Sequence, residues 1–322
     1  MLITPKSQKY ALIVDYKVRI PSPWSQLFLF AGLVLAMMVL FTLLYFVIDQ
    51  IAHGSQMRVG AVLQDTASVD FSKFVQALFS LTVFGLTGFL YARFTFRDQP
   101  GYQLGLRPAT QIIFYPLAIL LLVFSLPLEE WLGELNKGIP LWHWMTRAEQ
   151  DNDRQVETFL KVRHPFDPVV NVLVMAVIPA FCEELCFRGA LQRIMIQICK
   201  RPLMGILVSA FLFSFFHFQF EGFLPRMFLG VLLGAAYWYS GSLWVPILAH
   251  FFFNAVQVVF AMVGNPAIAG SGANKNPTMP MLFVLASLGI VVGLLSLMRS
   301  LSTVSFAGVY GGKPNEYEDF LT

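Results

Sequence analysis

At 322 residues the chain is 57% hydrophobic and only 13% charged, carries 32 phenylalanines and has a mean hydropathy of +0.65. That balance excludes an ordinary soluble globular domain. A formal net charge of +3, thinly scattered, gives no basis for a nucleic-acid partner. The expected surrounding is membrane lipid, and the length suits several spanning helices in one bundle without a second core.

The N-terminal segment carries Lys6, Lys9, Lys17 and Arg19 ahead of an apolar run at 27–48. The run is too long for a signal-peptide core and has no small-x-small cleavage site, so it reads as an uncleaved first spanning helix. Apolar stretches of about 20 residues, the length that crosses the hydrocarbon layer as a helix, recur down the chain. Eight are expected, at 27–48, 72–93, 110–128, 168–199, 203–220, 226–240, 243–263 and 280–301. The fold class is therefore all-α, a polytopic membrane helical bundle. Its layout is an N-terminal segment 1–26, a bundle 27–301 with its working core near 168–263, and a tail 302–322 that reads as loose.

Positive charge in short loops marks the cytoplasmic side. The N-terminal segment, the 93–109 loop (Arg93, Arg97, Arg107) and the 200–202 turn (Lys200, Arg201) are basic, while the 49–71 loop has only Arg58 and the 264–279 loop only Lys275. Eight crossings place the basic loops on one side and both termini in the cytoplasm. Compact loops suit a prokaryotic plasma membrane. The one long hydrophilic connection, 129–167, includes Trp131, Trp142 and Trp144, a density that suits an interfacial segment, with a weak helix at 149–163. The cysteines Cys182, Cys186 and Cys199 make no disulfide framework and read as buried thiols. No internal repeat is visible, which weighs against a transporter built from duplicated halves.

The fourth stretch holds the exception to this apolar pattern. Residues 179–192 place Glu183, Glu184 and Arg188 within it. Charges at membrane depth cost several kcal/mol and usually mark function. Glu184 and Arg188, four apart, can pair on one helix face, leaving Glu183 as an unpaired carboxylate, suited to a general base. The fifth stretch carries Phe213-x-x-x-His217 and the seventh His250-x-x-x-Asn254, while His53, His143 and His164 fall in loops. Pro179 and Pro246 each stand four residues before a polar group, where a kink can open a wet pocket. The phenylalanines around His217 and His250 read mainly as packing.

Three motifs in this order, Glu-Glu-x-x-x-Arg, Phe-x-x-x-His and His-x-x-x-Asn, resemble those of the CPBP (Abi) family of intramembrane proteases, which includes the CAAX prenyl endopeptidase of the Ras-converting type. The resemblance covers roughly 169–260. It implies peptide-bond hydrolysis in the membrane, acting on a peptide or protein substrate, lipidated or not. Glu183 with His217 would activate water, His250 and Asn254 would stabilise the oxyanion, and Glu184 and Arg188 would support them. It also implies a mechanism without metal or other cofactor. Three other readings of these residues stay open: a zinc protease, although no H-E-x-x-H pair is present; a proton pathway in a transporter; and a silent family member that binds without cleaving.

Overall fold

The computed structural model describes residues 18–53, 66–264 and 279–310. Lys6, Lys9 and Lys17, the loop residues Arg58 and Lys275, and the tail beyond Tyr310 lie outside the described residues. The protein is an all-α bundle, with no strand among the described residues and only an isolated bridge between Val18 and Phe96. Its main helices are α1 (Pro23–His53), α2 (Val69–Thr95), α3 (Phe114–Lys137), α4 (His143–Leu160), α5 (Asp167–Cys199), α6 (Pro202–Phe215), α7 (Phe223–Ser240), α8 (Trp244–Met262) and α9 (Met281–Leu301).

All eight expected stretches are helical, and six helices are long and apolar enough to cross a membrane: α1, α2, α3, α5, α8 and α9. The other two are corrected. α6 stops at Phe215 instead of 220, and its 14 residues span only about 21 Å at ~1.5 Å per residue. α7 is 18 residues long, diluted by glycine, serine and Arg226, and packs against α3, α6 and α8. The third stretch is also longer than expected: α3 runs to Lys137, taking Glu129 to Trp131 into the helix. The weak helix expected at 149–163 is a full one, α4, starting at His143. The expected loose tail begins instead with a docked helical turn, Phe306–Tyr310, whose Phe306 is buried.

α5 is the centre of the bundle. Every residue from 182 to 196 is buried, as expected of a helix that is enclosed all round instead of presenting one stripe. α1 and α2 cover one side of it, and α6, α7 and α8 the other. α6 approaches its end closely because position 205 is glycine: a Cβ there would lie 2.5 Å from the backbone nitrogen of Ile196 and 2.7 Å from its Cα. The small-residue pair on α7 serves the same purpose and adds hydrogen bonds. The Gly230 carbonyl accepts from Arg188 Nη2 at 3.3 Å, and one turn on the Gly234 carbonyl accepts from Gln192 Nε2 at 3.0 Å. Two α5 side chains thus fix the register of α7.

α5 is not a uniform α-helix. Residues Leu173–Val177 and Leu185–Gln192 are wound as π-helix, flanking a short α segment, Ile178–Glu184. Pro179 has no N–H to give to the Met175 carbonyl, and the wider winding just before it absorbs that misfit without a break in the helix. Within the second π stretch the Phe187 carbonyl accepts from Ser209 Oγ of α6 at 3.2 Å. Pro246, by contrast, lies in the first turn of α8, where proline is tolerated.

One end of the bundle gathers the start of α1, the ends of α2, α5, α7 and α9 and the starts of α3, α6 and α8. Contacts there include Arg19 N to the Thr95 carbonyl, Arg107 Nε to the Gly241 carbonyl and Gln111 Nε2 to the Leu301 carbonyl. The basic residues Arg19, Arg97, Arg107 and Lys200 belong to the segments that meet at this end.

Candidate active site

The α segment between the two π stretches carries both glutamates into the protein interior, Glu183 at 8% exposure and Glu184 at 0%. Arg188, one turn beyond Glu184, is 1% exposed. The i,i+4 pair expected from the sequence forms: Arg188 Nη1 donates to Glu184 Oε1 at 2.7 Å. The same oxygen is the partner of His250 Nδ1 at 2.8 Å, so Glu184 bridges α5 to α8. An ionised carboxylate only accepts, so His250 carries its proton on Nδ1 and presents Nε2 as the nitrogen available to a ligand. Glu184 Oε2 is buried and has no hydrogen-bond partner among the described residues.

His217 does not lie inside a spanning helix, as the fifth stretch had placed it. It sits on the turn beyond α6, whose last helical residue is Phe215. Its four-residue spacing from Phe213 has a local purpose, because Nδ1 meets the Phe213 carbonyl at 2.6 Å. A carbonyl cannot donate, so Nδ1 holds the proton and the lone pair of the neutral ring is on Nε2. That nitrogen lies 3.7 Å from Glu183 Oε2, beyond direct hydrogen-bond range. Two acceptors thus face each other across a gap.

Phe213 is the hub that brings these groups together. Its ring is buried between His217 (centroids 4.7 Å) and His250 (6.1 Å), and the Arg188 guanidinium sits 4.3 Å over its face. A packing phenylalanine therefore also screens a cation from the apolar surroundings. Asn254, half-buried, lies one turn after His250 on α8. All six residues singled out in the sequence fall on the elements that converge here. Cys182 and Cys186 are buried and Cys199 half-buried, all as free thiols. His143 and His164 are exposed.

Three residues near the site were not singled out. Arg226, at the start of α7, is close enough to act electrostatically on Glu183 and His217. Glu149 of α4 and Asn136 of α3 bond the turn that carries His217. Among the described residues no group of three or more His, Cys, Asp or Glu side chains is arranged to hold a metal ion.

Fold and cluster together define an integral membrane helical bundle with two carboxylates, a guanidinium and one imidazole buried at its centre and a second, half-buried imidazole beside them. Comparison with known proteins finds a similarity over one segment of the chain. Residues 165–256 match the family model "Rce1-like: Type II CAAX prenyl endopeptidase Rce1-like", a segment that contains all six singled-out residues. The resemblance read from the three motifs is borne out over this segment. A curated protein that matches is the uncharacterized protein YpbD of Bacillus subtilis (strain 168), 29% identical over 92 residues, which are 27% of this chain and 44% of that protein. The chain thus spans less than half the length of that relative. No solved structure matches.

Proposed function

We propose that the protein is an intramembrane endopeptidase that hydrolyses a peptide bond of a membrane-associated peptide or protein by water activated between Glu183 and His217. The observation that carries this reading is the 3.7 Å gap between Glu183 Oε2 and His217 Nε2. Neither atom can donate to the other when the carboxylate is ionised and the ring is neutral. A water in contact with both satisfies the two lone pairs at once by donating one proton to each. Its own lone pairs are then left for a substrate carbonyl, and either acceptor can take the proton released on attack.

His250 and Asn254 are assigned to the oxygen that becomes charged. The Nδ1 contact with Glu184 fixes the orientation of the His250 ring, and Nε2, when it carries a proton, donates to the oxyanion. Asn254, one turn away, supplies an amide donor. Arg188 balances Glu184, so the two adjacent carboxylates do not share one uncompensated charge. The proton held by Glu183 or His217 passes to the leaving amine when the tetrahedral intermediate collapses. The match of 165–256 to a prenyl-endopeptidase family supports the reaction class. In this reading the membrane is the plasma membrane of a prokaryote, with the basic end and both termini cytoplasmic.

The test is cleavage of a library of membrane-anchored peptides, with and without lipid tails, by purified wild type, Glu183→Ala, His217→Ala and His250→Ala. The expected result is turnover by wild type and a loss of about 10²–10⁴-fold in each variant, with folding retained. Full cleavage by Glu183→Ala, or proton flux in liposomes without cleavage by wild type, overturns the proposal.

A further inference from the structure

His217 is the one candidate catalytic group that a regular helix does not hold. It sits on the 216–222 turn between α6 and α7, and the next residue, Phe218, adopts φ +53°, a conformation that a bulky side chain reaches only at a cost. Such a turn does not sustain itself; its surroundings must impose it. The turn is fastened from outside by two polar side chains of the long connection. Glu149 Oε2 of α4 accepts the Phe220 N–H at 2.7 Å and the Glu221 N–H at 3.3 Å. Asn136 near the end of α3 donates to the Phe220 carbonyl at 2.6 Å and accepts the Leu224 N–H at 2.9 Å. Trp144 of α4 stands edge-on to Phe220 with centroids 5.2 Å apart.

Both side chains are buried, Asn136 at 2% and Glu149 at 9% exposure, on elements otherwise rich in exposed polar groups. Among the described residues neither bonds another charged side chain; Glu149 Oε2 and both amide atoms of Asn136 bond backbone groups at 220–224, in this turn and the start of α7. We infer that Glu149 and Asn136 are positioning residues for His217, and that α4 is a brace that holds the turn so that the imidazole meets Glu183. This rests on the hydrolase reading for its catalytic part. The anchoring part stands on the geometry alone. A displacement of about 1 Å at a catalytic group can cost about 100-fold in rate, so loosening this brace acts on turnover more than on substrate affinity.

The experiment compares wild type, Glu149→Ala, Glu149→Gln and Asn136→Ala in two assays: amide hydrogen exchange of the 216–224 segment by mass spectrometry, and kcat and KM on a cleaved membrane-anchored peptide. In Glu149→Ala the exchange at Phe220 and Glu221 is expected to rise about 10-fold or more while the α5 core stays protected. kcat is expected to fall about 10- to 100-fold at nearly constant KM. Glu149→Gln keeps an acceptor oxygen of the same reach and is expected to restore most of both, and Asn136→Ala to resemble Glu149→Ala. Unchanged exchange in Glu149→Ala overturns the anchoring. Raised exchange with wild-type kcat, or a change confined to KM, overturns the positioning of His217. A wild type that cleaves nothing removes the hydrolase reading and the catalytic part with it, while exchange still decides whether Glu149 holds the turn.

Discussion

Removal of Arg188 tests the electrostatic core of the site. Arg188→Met keeps most of the side-chain volume and deletes three interactions: the 2.7 Å contact with Glu184 Oε1, the 3.3 Å hydrogen bond to the Gly230 carbonyl and the guanidinium 4.3 Å over Phe213. Glu184 is then left at 0% exposure with His250 Nδ1 as its partner and Oε2 already without one. Breaking a fully buried ion pair by removing one side costs about 3–5 kcal/mol, most of it from the stranded charge and not from the lost contact. Solvent screening does not reduce this, since neither partner reaches water. Against a total stability of about 5–15 kcal/mol the loss is about a fifth or more. The assay is SDS-induced unfolding in mixed micelles, followed by circular dichroism. The companion variant is Glu184→Gln with Arg188→Met, which removes both charges and leaves an amide oxygen for His250. It is expected to be more stable than Arg188→Met alone by about 1–3 kcal/mol. The reasoning is refuted if the single variant lies within about 1 kcal/mol of wild type, or if the double variant loses the sum of the two single losses.

Three further outcomes follow from other parts of the bundle. Gly205→Ala, whose new Cβ would press on the Ile196 backbone, is expected to cost about 1–3 kcal/mol in the same unfolding assay; a neutral effect would mean that α6 and α5 separate easily. Burial pushes the Glu149 carboxyl above the ordinary carboxylate range, against two backbone N–H donors that pull it down, with Asp153 and Glu221 adding to the rise. A raised folded value means that the native state holds this proton more tightly, so the contribution is full below the ordinary value and is lost as pH rises through the raised one. The Tm of wild type minus that of Glu149→Gln should therefore fall between the ordinary carboxylate range and neutral pH, and a flat difference contradicts it. Treatment with a strong zinc chelator is expected to leave peptide cleavage unchanged; loss of activity restored by added zinc would favour the metal-dependent reading.

The sequence carried the helices and half of the site because both follow short-range rules. Twenty-residue apolar stretches become helices in lipid since no other arrangement satisfies the backbone. Glu184 and Arg188 are four residues apart within α5, and His217 follows Phe213 by four across the end of α6, so local backbone geometry dictates each contact. What crosses between helices was not legible. Nothing at 184 or 250 announces that Glu184 Oε1 serves His250 as well as Arg188, because that contact spans 66 residues and depends on where α8 lands. The two π stretches of α5 were equally hidden, although Pro179 marked the place where one was needed.

Glu149 is the instructive miss, since its signal was present in α4. Met145, Asn152, Val156 and Phe159 recur at steps of seven, four and three residues, which keep to one helix face, and are buried or half-buried, while Asp151, Asp153, Arg154 and Glu157 are exposed. Position 149 falls on the inward stripe, four residues after Met145 and three before Asn152. A glutamate on the inward face of an amphipathic helix must find donors, and the donors it finds are the N–H groups of the turn that carries His217. Among many charges in a hydrophilic segment, the one out of phase with its neighbours is the one with a specific partner. The same reasoning separates Asn136 from the other polar residues near the end of α3, because its 2% exposure leaves its amide only the backbone at 220 and 224 to bond. The connection read as an interfacial segment thus supplies the fastening for the one imidazole that the helices leave unsupported.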